Sequence, residues 1–393
     1  MAPLTSLAEA RWLTPQRARG YGRMLLALTV LVAAAWIGLA RGGVDRAGHP
    51  LGTDFLSFWA ASDLALAGDA PGVYDPMRHG AREQALFPGD ATQGYTAFFY
   101  PPTYLVLCLP LALLPYFWSL AAWLGLTGAA YWRGVRALLP GPGRALPILA
   151  YPAVLVTAGH GQNAFLTTAL FAGAARWLGP RPLLAGMCLG ALCIKPHLLC
   201  LAPLTLLAGR HWRALAGAAA AAAALCIASL ALFGADTWRG FLGIAPLARR
   251  TLEEGLVSPD KMASIFAAAR VLAAPVPAGY ALQATAALAA GIVLVRLRHA
   301  SAEEQMAALV AATLLATPFL LDYDLTIAAV PLAILFARAQ RDGFRRWEKL
   351  ALAAAFVVPL LARPLASRLS LPIAPLVDAG LLAVVARRAH RVP

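Results

Sequence analysis

This chain carries little charge of either sign. Asp, Glu, Lys and Arg make up only 13% of its 393 residues, against 60% hydrophobic residues, and the mean hydropathy is +0.67. A soluble domain is nearer a quarter charged and half apolar. That deficit excludes an ordinary water-soluble enzyme, and apolar runs recurring through the whole length point to a polytopic membrane protein. Lysine is scarcer still: Lys195, Lys261 and Lys349 are the only ones, the other basic residues being Arg. Acidic residues number 19, which leaves a net charge of +14. In a soluble protein such an excess would invite a nucleic-acid reading. Here the Arg residues gather in short clusters between apolar runs, as the positive-inside rule describes, and no nucleic-acid partner is expected. The mix of Arg, Ala, Gly and Pro suggests a GC-rich bacterial genome. Cysteine is equally uninformative: Cys108, Cys188, Cys193, Cys200 and Cys226 all lie inside apolar segments, without metal or redox spacing. They read as small buried hydrophobes.

What is present in quantity is membrane-crossing sequence. Clusters at Arg133/Arg136/Arg144, Arg176/Arg181, Arg210/Arg213, Arg296/Arg298, Arg338–Lys349 and Arg387–Arg391 are expected on the cytoplasmic side. Pairing the apolar runs between them gives spans near 22–40, 116–138, 145–158, 163–178, 182–195, 197–209, 213–233, 278–295, 303–318, 323–338, 348–362 and 373–387. About twelve helices in one integral-membrane domain, 1–393, are therefore expected, several too short to cross without local thinning or protein-lined breaks. Residues 1–21 read as a cytoplasmic leader before an uncleaved first span, with both termini cytoplasmic in the inner (plasma) membrane. The stretch "PPTYLVLCLPLALLP" at 101–115 is apolar but short and interrupted by Pro, and is expected to be half-inserted at the outer face.

With this threading the unusual polar residues fall on one side of the membrane. They lie in the outer loop 41–115, in "GHGQN" at 159–163, in "KPH" at 195–197, in 234–277 and in "PFLLDYD" at 318–324. Asp54 opens an amphipathic stretch with Phe55, Phe58, Trp59 and Leu66 on its greasy side. It fits either an N-cap or a base at the level of lipid headgroups, on a helix resting in the interface. Asp75 before Pro76 reads as a cap, and Asp63 and Asp69 read as solvated. His160, Gln162 and Asn163 occupy an outer turn, with Asn163 also a possible cap. Lys195 stands in "LGALCIKPHLLCLAPL", where an ammonium is expensive. It either snorkels or, with His197 at the Pro196 break, binds a phosphate. Asp322 and Asp324 interrupt an apolar stretch, either pairing with Lys195 or Arg270 or capping the next helix. No His accompanies them, so no metal is expected.

Taken in order, "TDFLSFWAASDLALAGDAPGVYDP", "FFYPPTYLVLCLPLALLP", "GHGQN" and "GALCIKPHLL" resemble the pattern of glycosyltransferase family 87. That family includes polyprenol-phosphate-mannose-dependent mannosyltransferases and related arabinofuranosyltransferases. The resemblance runs over roughly 20–340. It implies a GT-C-type fold, all-α and polytopic, whose first outer loop holds the catalytic acid and whose donor is a lipid-phosphate sugar. Asp54 then matches the outer-loop Asp, and Lys195 the Lys-Pro element. Tyr100 of the Tyr-Pro-Pro element joins His160, Gln162, Asn163, Asp322 and Asp324 as expected substrate contacts. Many members carry Trp and His where this chain has "LLDYDL", a departure that bears on donor or acceptor preference.

The expected partners are a polyprenyl-phosphate sugar, a lipid or glycan acceptor and membrane lipids. No cofactor is expected beyond the lipid-linked sugar itself, a mannose or other hexose. One carboxylate would act as base on an acceptor hydroxyl, and Lys195 with His197 would stabilise the departing phosphate, with inversion at the sugar. The alternative is a transporter or flippase of lipid-linked sugars, which would also use broken helices and an intramembrane Lys.

Overall fold

The computed structural model describes residues 8–88, 95–139, 141 and 145–389. Arg144 and Arg391 of the basic clusters and the first seven residues of the expected leader lie outside the described residues. Among the described residues the fold is all-helical, with isolated β-bridges but no strands. Every apolar run named above is helical over most of its length. Among the described residues four helices are long and apolar enough to cross a membrane: Pro15–Leu39, Trp212–Glu253, Val276–Arg296 and Glu348–Leu369. The remaining runs are shorter, less apolar or interrupted, and the interruptions have local causes. Pro152 separates Ala145–Leu149 from Ala153–His160, since it offers no N–H and blocks helical backbone before it. Within Trp212–Gly243, Gly234 takes φ 75°, ψ 174°, a left-handed break that glycine tolerates. The expected span 213–233 ends at that break, and the segment beyond it, expected on the outer side, continues as helix.

The core is built around Ala302–Ala316, buried from Glu304 to Leu315. Val276–Arg296, Ala329–Asp342, Ala374–Ala389 and Ala164–Trp177 pack on it. Its start is fixed by a capping box, Ser301 and Glu304 each bonding to the other's backbone N–H, and Arg338 pairs with Glu304 at 2.7 Å. A second close packing joins Pro182–Ala191 to Trp212–Gly243. Gly186 and Gly190 bring the two backbones so near that a Cβ would lie 1.8 Å from Ala214 O and 2.1 Å from Ala218 O. Small residues four apart allow this approach between apolar helices.

The stretch expected to form the outer loop folds as a helical module. Phe55–Leu66, the 3₁₀ turn Ala70–Tyr74, Pro76–Leu86, Pro102–Cys108 and the 3₁₀ turn Leu111–Leu113 make it up. The stretch 101–115 is thus two short pieces, neither long enough to cross. One expectation is corrected here. Phe55 and Phe58 do not form a lipid-facing surface; they are 0% and 1% exposed. Phe58 lies edge-on to Tyr104 at 5.0 Å and Tyr100 at 5.3 Å, and Phe55 to Tyr116 at 5.5 Å. Protein fills the face that periodicity alone assigned to the interface, because edge-to-face aromatic packing is available within the module. Asp63 and Asp69 are not simply solvated either. Asp63 pairs with Arg82, while Asp69 accepts from Gly72 N at 3.2 Å and pairs with Arg78 at 3.0 Å. Asp75 caps Pro76–Leu86 by accepting from Met77 N at 2.9 Å.

The glycine contact makes a stability prediction. Gly190→Leu must force the two backbones apart, an overpacking cost of about 1–3 kcal/mol, and should lower the melting temperature of the detergent-purified chain. Gly380→Ala, on the helix Ala374–Ala389 with open space around the new methyl, should leave melting unchanged or raise it.

Candidate active site

Polar residues from stretches far apart in sequence meet at one cavity of about 620 Å³. Asp54, Tyr100, His160, Gln162, Lys195, His197 and Asp322 all line it. Asn163 and Asp324 do not; both are fully buried behind the wall. A larger open groove of about 840 Å³, between Leu201, Leu204 and Leu288, is almost wholly apolar and lies away from these groups.

Asp54 sits at the N-cap position of Phe55–Leu66, yet its side chain makes no capping bond. The carboxylate turns instead to the turn after Ala153–His160. Gln162 Nε2 donates to Asp54 Oδ2 at 2.8 Å, and the Asp54 backbone N–H donates to His160 O at 3.0 Å. Gly161 makes this approach possible. It takes φ +66°, and a Cβ there would lie 2.5 Å from Phe55 Cβ. Thr53 Oγ1 lies 2.9 Å from His160 Nδ1 and 3.3 Å from Asp54 Oδ1. With the His160 proton on Nδ1, the ring donates to Thr53 and the Thr53 hydroxyl donates to Asp54. Gln162 is held in turn by Tyr100, whose hydroxyl donates to Gln162 Oε1 at 3.1 Å, and by Asn163, whose backbone N–H donates to the same oxygen at 3.0 Å. Asn163 makes no side-chain cap bond.

Lys195 reaches the cavity because Pro196 bars its predecessor from helical backbone. Pro182–Ala191 tightens into the 3₁₀ turn Leu192–Ile194, and Lys195 leaves it at φ −140°, ψ 73°. Its ammonium is 3% exposed and donates to Asp324 Oδ1 at 2.5 Å. Of the pairings open from sequence, this is the one adopted; Arg270 instead donates to Ala274 O. Asp324 Oδ2 also accepts from Leu321 N at 3.2 Å. The Lys195 ammonium lies 4.9 Å from the centre of the Tyr323 ring and 6.0 Å from that of Tyr100, within cation–π range. His197 lines the cavity with its Nε2 unpartnered among the described residues. Asp322 Oδ1 accepts from Tyr323 N at 2.8 Å, and Oδ2 faces Arg363 at 4.0 Å.

The electrostatics separate the two acids on the cavity wall. Burial alone would raise the Asp54 carboxyl, but hydrogen bonding and charge from His160, then Gln162 and Thr53, outweigh it and hold Asp54 below its ordinary 3.8. Burial dominates at Asp322 and pushes it above that value, in spite of His160 and Arg363. Burial would lower His160, but Asp54 and Asp322 raise it above 6.5. Asp54, 26% exposed, is therefore an ionised and reachable carboxylate. Thr53, Arg249 and Lys261 complete the site and were not singled out from sequence. Lys261 had a usable signal, being one of only three lysines.

The family model of glycosyltransferase family 87 matches residues 98–321. The chain belongs to glycosyltransferase family 87. No curated protein and no solved structure matches it. The matched region holds Tyr100, the 160–163 turn, Lys195 and Lys261, while Asp54 lies before it. Membership in glycosyltransferase family 87 implies a membrane glycosyltransferase, acting on a sugar donor and an acceptor, and weighs against the transporter alternative.

The shifts fix the sign of a pH effect. Asp54 is lowered on folding, so its contribution is present above its ordinary value of 3.8 and lost as pH falls through the lower folded value. His160 is raised, so its contribution is complete below 6.5 and lost as pH rises through the folded value. Both hold together between these limits. His160→Gln should therefore lower the melting temperature most near pH 5.5 and least near pH 9. An equal loss at both pH values would show that the ring stabilises by packing rather than by charge.

Proposed function

We propose that the chain transfers a hexose, mannose being the first candidate, from a polyprenyl-phosphate donor to a lipid or glycan acceptor, on the extracytoplasmic face of a bacterial inner membrane and with inversion. The GT-C-type arrangement of about twelve spans, with cytoplasmic termini, belongs to the same reading. One observation carries it: an ionised carboxylate, a hydrogen-bonding turn and a buried ammonium line a single cavity. All three lie in segments that the Arg clusters assign to one side.

The chemistry balances with few groups. The acceptor hydroxyl attacks the anomeric carbon, its proton passes to Asp54 Oδ1, and the bond from that carbon to the phosphate oxygen breaks with its electron pair. Gln162 holds Asp54 Oδ2 and so leaves Oδ1, only loosely approached by Thr53, for the proton. His160 keeps Asp54 ionised until that transfer. Lys195 has N–H groups beyond the one given to Asp324, and these are suited to hydrogen-bond the departing phosphate. His197 Nε2 is a further contact of that kind. Asp322, bonded to Tyr323 N and facing Arg363, is already engaged, which leaves one free carboxylate and favours direct displacement over a covalent sugar–enzyme intermediate. Donor and acceptor held in one bilayer meet in two dimensions, which supplies proximity.

Asp54→Asn is the discriminating substitution. Asn preserves shape and an oxygen to accept from Gln162 Nε2, so the variant should fold, while transfer from a labelled polyprenyl-phosphate mannose should fall by about 10²-fold or more. Near wild-type transfer would move the base to Asp322.

Lys195 needs a paired test, because Lys195→Ala alone strands Asp324 and costs about 3–5 kcal/mol of stability. The double variant Lys195→Met/Asp324→Asn, in which the new amide oxygen still accepts from Leu321 N, should keep its melting temperature and still lose about 3 kcal/mol of transition-state stabilisation, roughly 10²-fold in rate. Normal turnover in the double variant would reduce the pair to a structural staple.

A further inference from the structure

We propose that Lys261, at the mouth of the same cavity, is the cation that neutralises the phosphate of an amphiphilic ligand. The proposal rests on the lipid-phosphate reading of that cavity and assigns its charge-binding subsite.

The argument starts from which charges are already matched. Lys195 is 2.5 Å from Asp324, and Arg249 is 2.8 Å from Glu253. Among the described residues that line the cavity, Lys261 is the cation with no carboxylate at salt-bridge distance. Its neighbour Asp260 does not serve it: that carboxylate faces Arg363 at 3.8 Å and also bonds to Ser258. Lys195 thus offers hydrogen bonds with its charge already matched, while the charge of Lys261 is uncompensated.

Lys261 is also held in place. It ends the 3₁₀ turn Pro259–Lys261, with Lys261 N donating to Ser258 O at 3.0 Å. The next two residues are tied to the Asp322 segment, Met262 bridging Leu321 and Ala263 N donating to Leu320 O at 2.8 Å. The backbone is fixed while the side chain stays exposed, so the ammonium can be reached from outside. Around it the cavity wall is apolar, with Leu252, Leu256, Val257 and Phe319. A compact ammonium next to an aliphatic and aromatic wall suits a phosphate carried on a hydrocarbon chain. A donor phosphate and a phospholipid headgroup share that chemistry, and the proposal commits to the donor.

The test is binding, read without turnover. The full chain in phosphatidylcholine nanodiscs is titrated with farnesyl phosphate and, separately, with farnesol. Lys261→Ala and Lys261→Gln should weaken farnesyl phosphate by about tenfold, the loss of one charge-assisted contact. Lys261→Arg should retain most of the affinity, and farnesol should bind all forms alike. Wild-type affinity for farnesyl phosphate in Lys261→Gln, with an unchanged melting temperature, overturns the proposal. So does an equal loss for farnesol, which would make Lys261 a packing element. Phosphatidylglycerol added to the nanodiscs should not compete. Competition that disappears in Lys261→Ala would assign the subsite to a bilayer headgroup and overturn the donor assignment. The outcome is separable from the catalytic reading: normal transfer in Asp54→Asn defeats the proposed base and leaves the Lys261 result standing, and the converse also holds.

Discussion

The contact on which the site depends is the buried ion pair between Lys195 and Asp324, 129 residues apart in sequence. In a chain with so few charges, an ammonium inside the helical bundle persists only if a carboxylate matches it, and removing either partner costs about 3–5 kcal/mol. The pair ties the broken end of Pro182–Ala191 to the 3₁₀ segment Asp322–Ala328. It also sets Lys195 between the rings of Tyr100 and Tyr323. From Tyr100 the hydrogen bonds run on to Gln162 and then to Asp54. The orientation of the candidate base is thus linked to the charge pair through the Tyr100 ring and two hydrogen bonds. Removal of one partner therefore disturbs both the fold and the catalytic geometry.

The same economy explains why the chemistry sits where helices fail. A break in an apolar helix leaves backbone N–H and C=O groups without partners, and in a nonpolar setting each must be satisfied. Gly161 ends one helix in left-handed backbone, and the Gln162 amide and Asp54 carboxylate gather there. Leu321 N is satisfied by Asp324, and Tyr323 N by Asp322. Asp324 thus satisfies broken backbone while it holds Lys195. Structural repair and site construction use the two oxygens of one carboxylate.

Much of this was legible in sequence, and the part that was not has a common cause. Runs of apolar residues marked the helices, because backbone satisfaction in a membrane leaves few alternatives. Asp54, Lys195 and the 160–163 turn stood out because polar groups in such surroundings are costly. Periodicity could not say what covers an apolar face. It made Phe55 and Phe58 a lipid-facing stripe, whereas Tyr104 and Tyr116 cover them. Nor could it decide which base pairs with Asp324, since Lys195 and Arg270 stand on segments whose relative placement only tertiary packing fixes. Rarity marked Lys261, but not its role, for a related reason. A lysine in a polar loop looks ordinary until the other cations of the cavity are seen to be matched. The family match over 98–321 likewise leaves Asp54 to be reached by geometry.

The state of Asp54 constrains the reaction it can assist. Hydrogen bonds and the neighbouring His160 charge hold its carboxyl low, so the group is fully ionised but intrinsically a weak base. Such a base cannot strip a proton from an unactivated alcohol before bond formation. It can take the proton only as the new carbon–oxygen bond develops and the hydroxyl acidifies, which places the burden on the leaving group. A sugar phosphate meets that demand, because phosphate departs as an anion and needs no acid catalyst. The other acid lining the cavity among the described residues, Asp322, is pushed the other way by burial and is bonded to backbone. In the proposed reaction, a low, reachable carboxylate that shares a cavity with donors suited to an anion is therefore matched to a pre-activated glycosyl phosphate, and poorly matched to hydrolysing an ordinary glycoside, where a raised acid would have to protonate the departing oxygen.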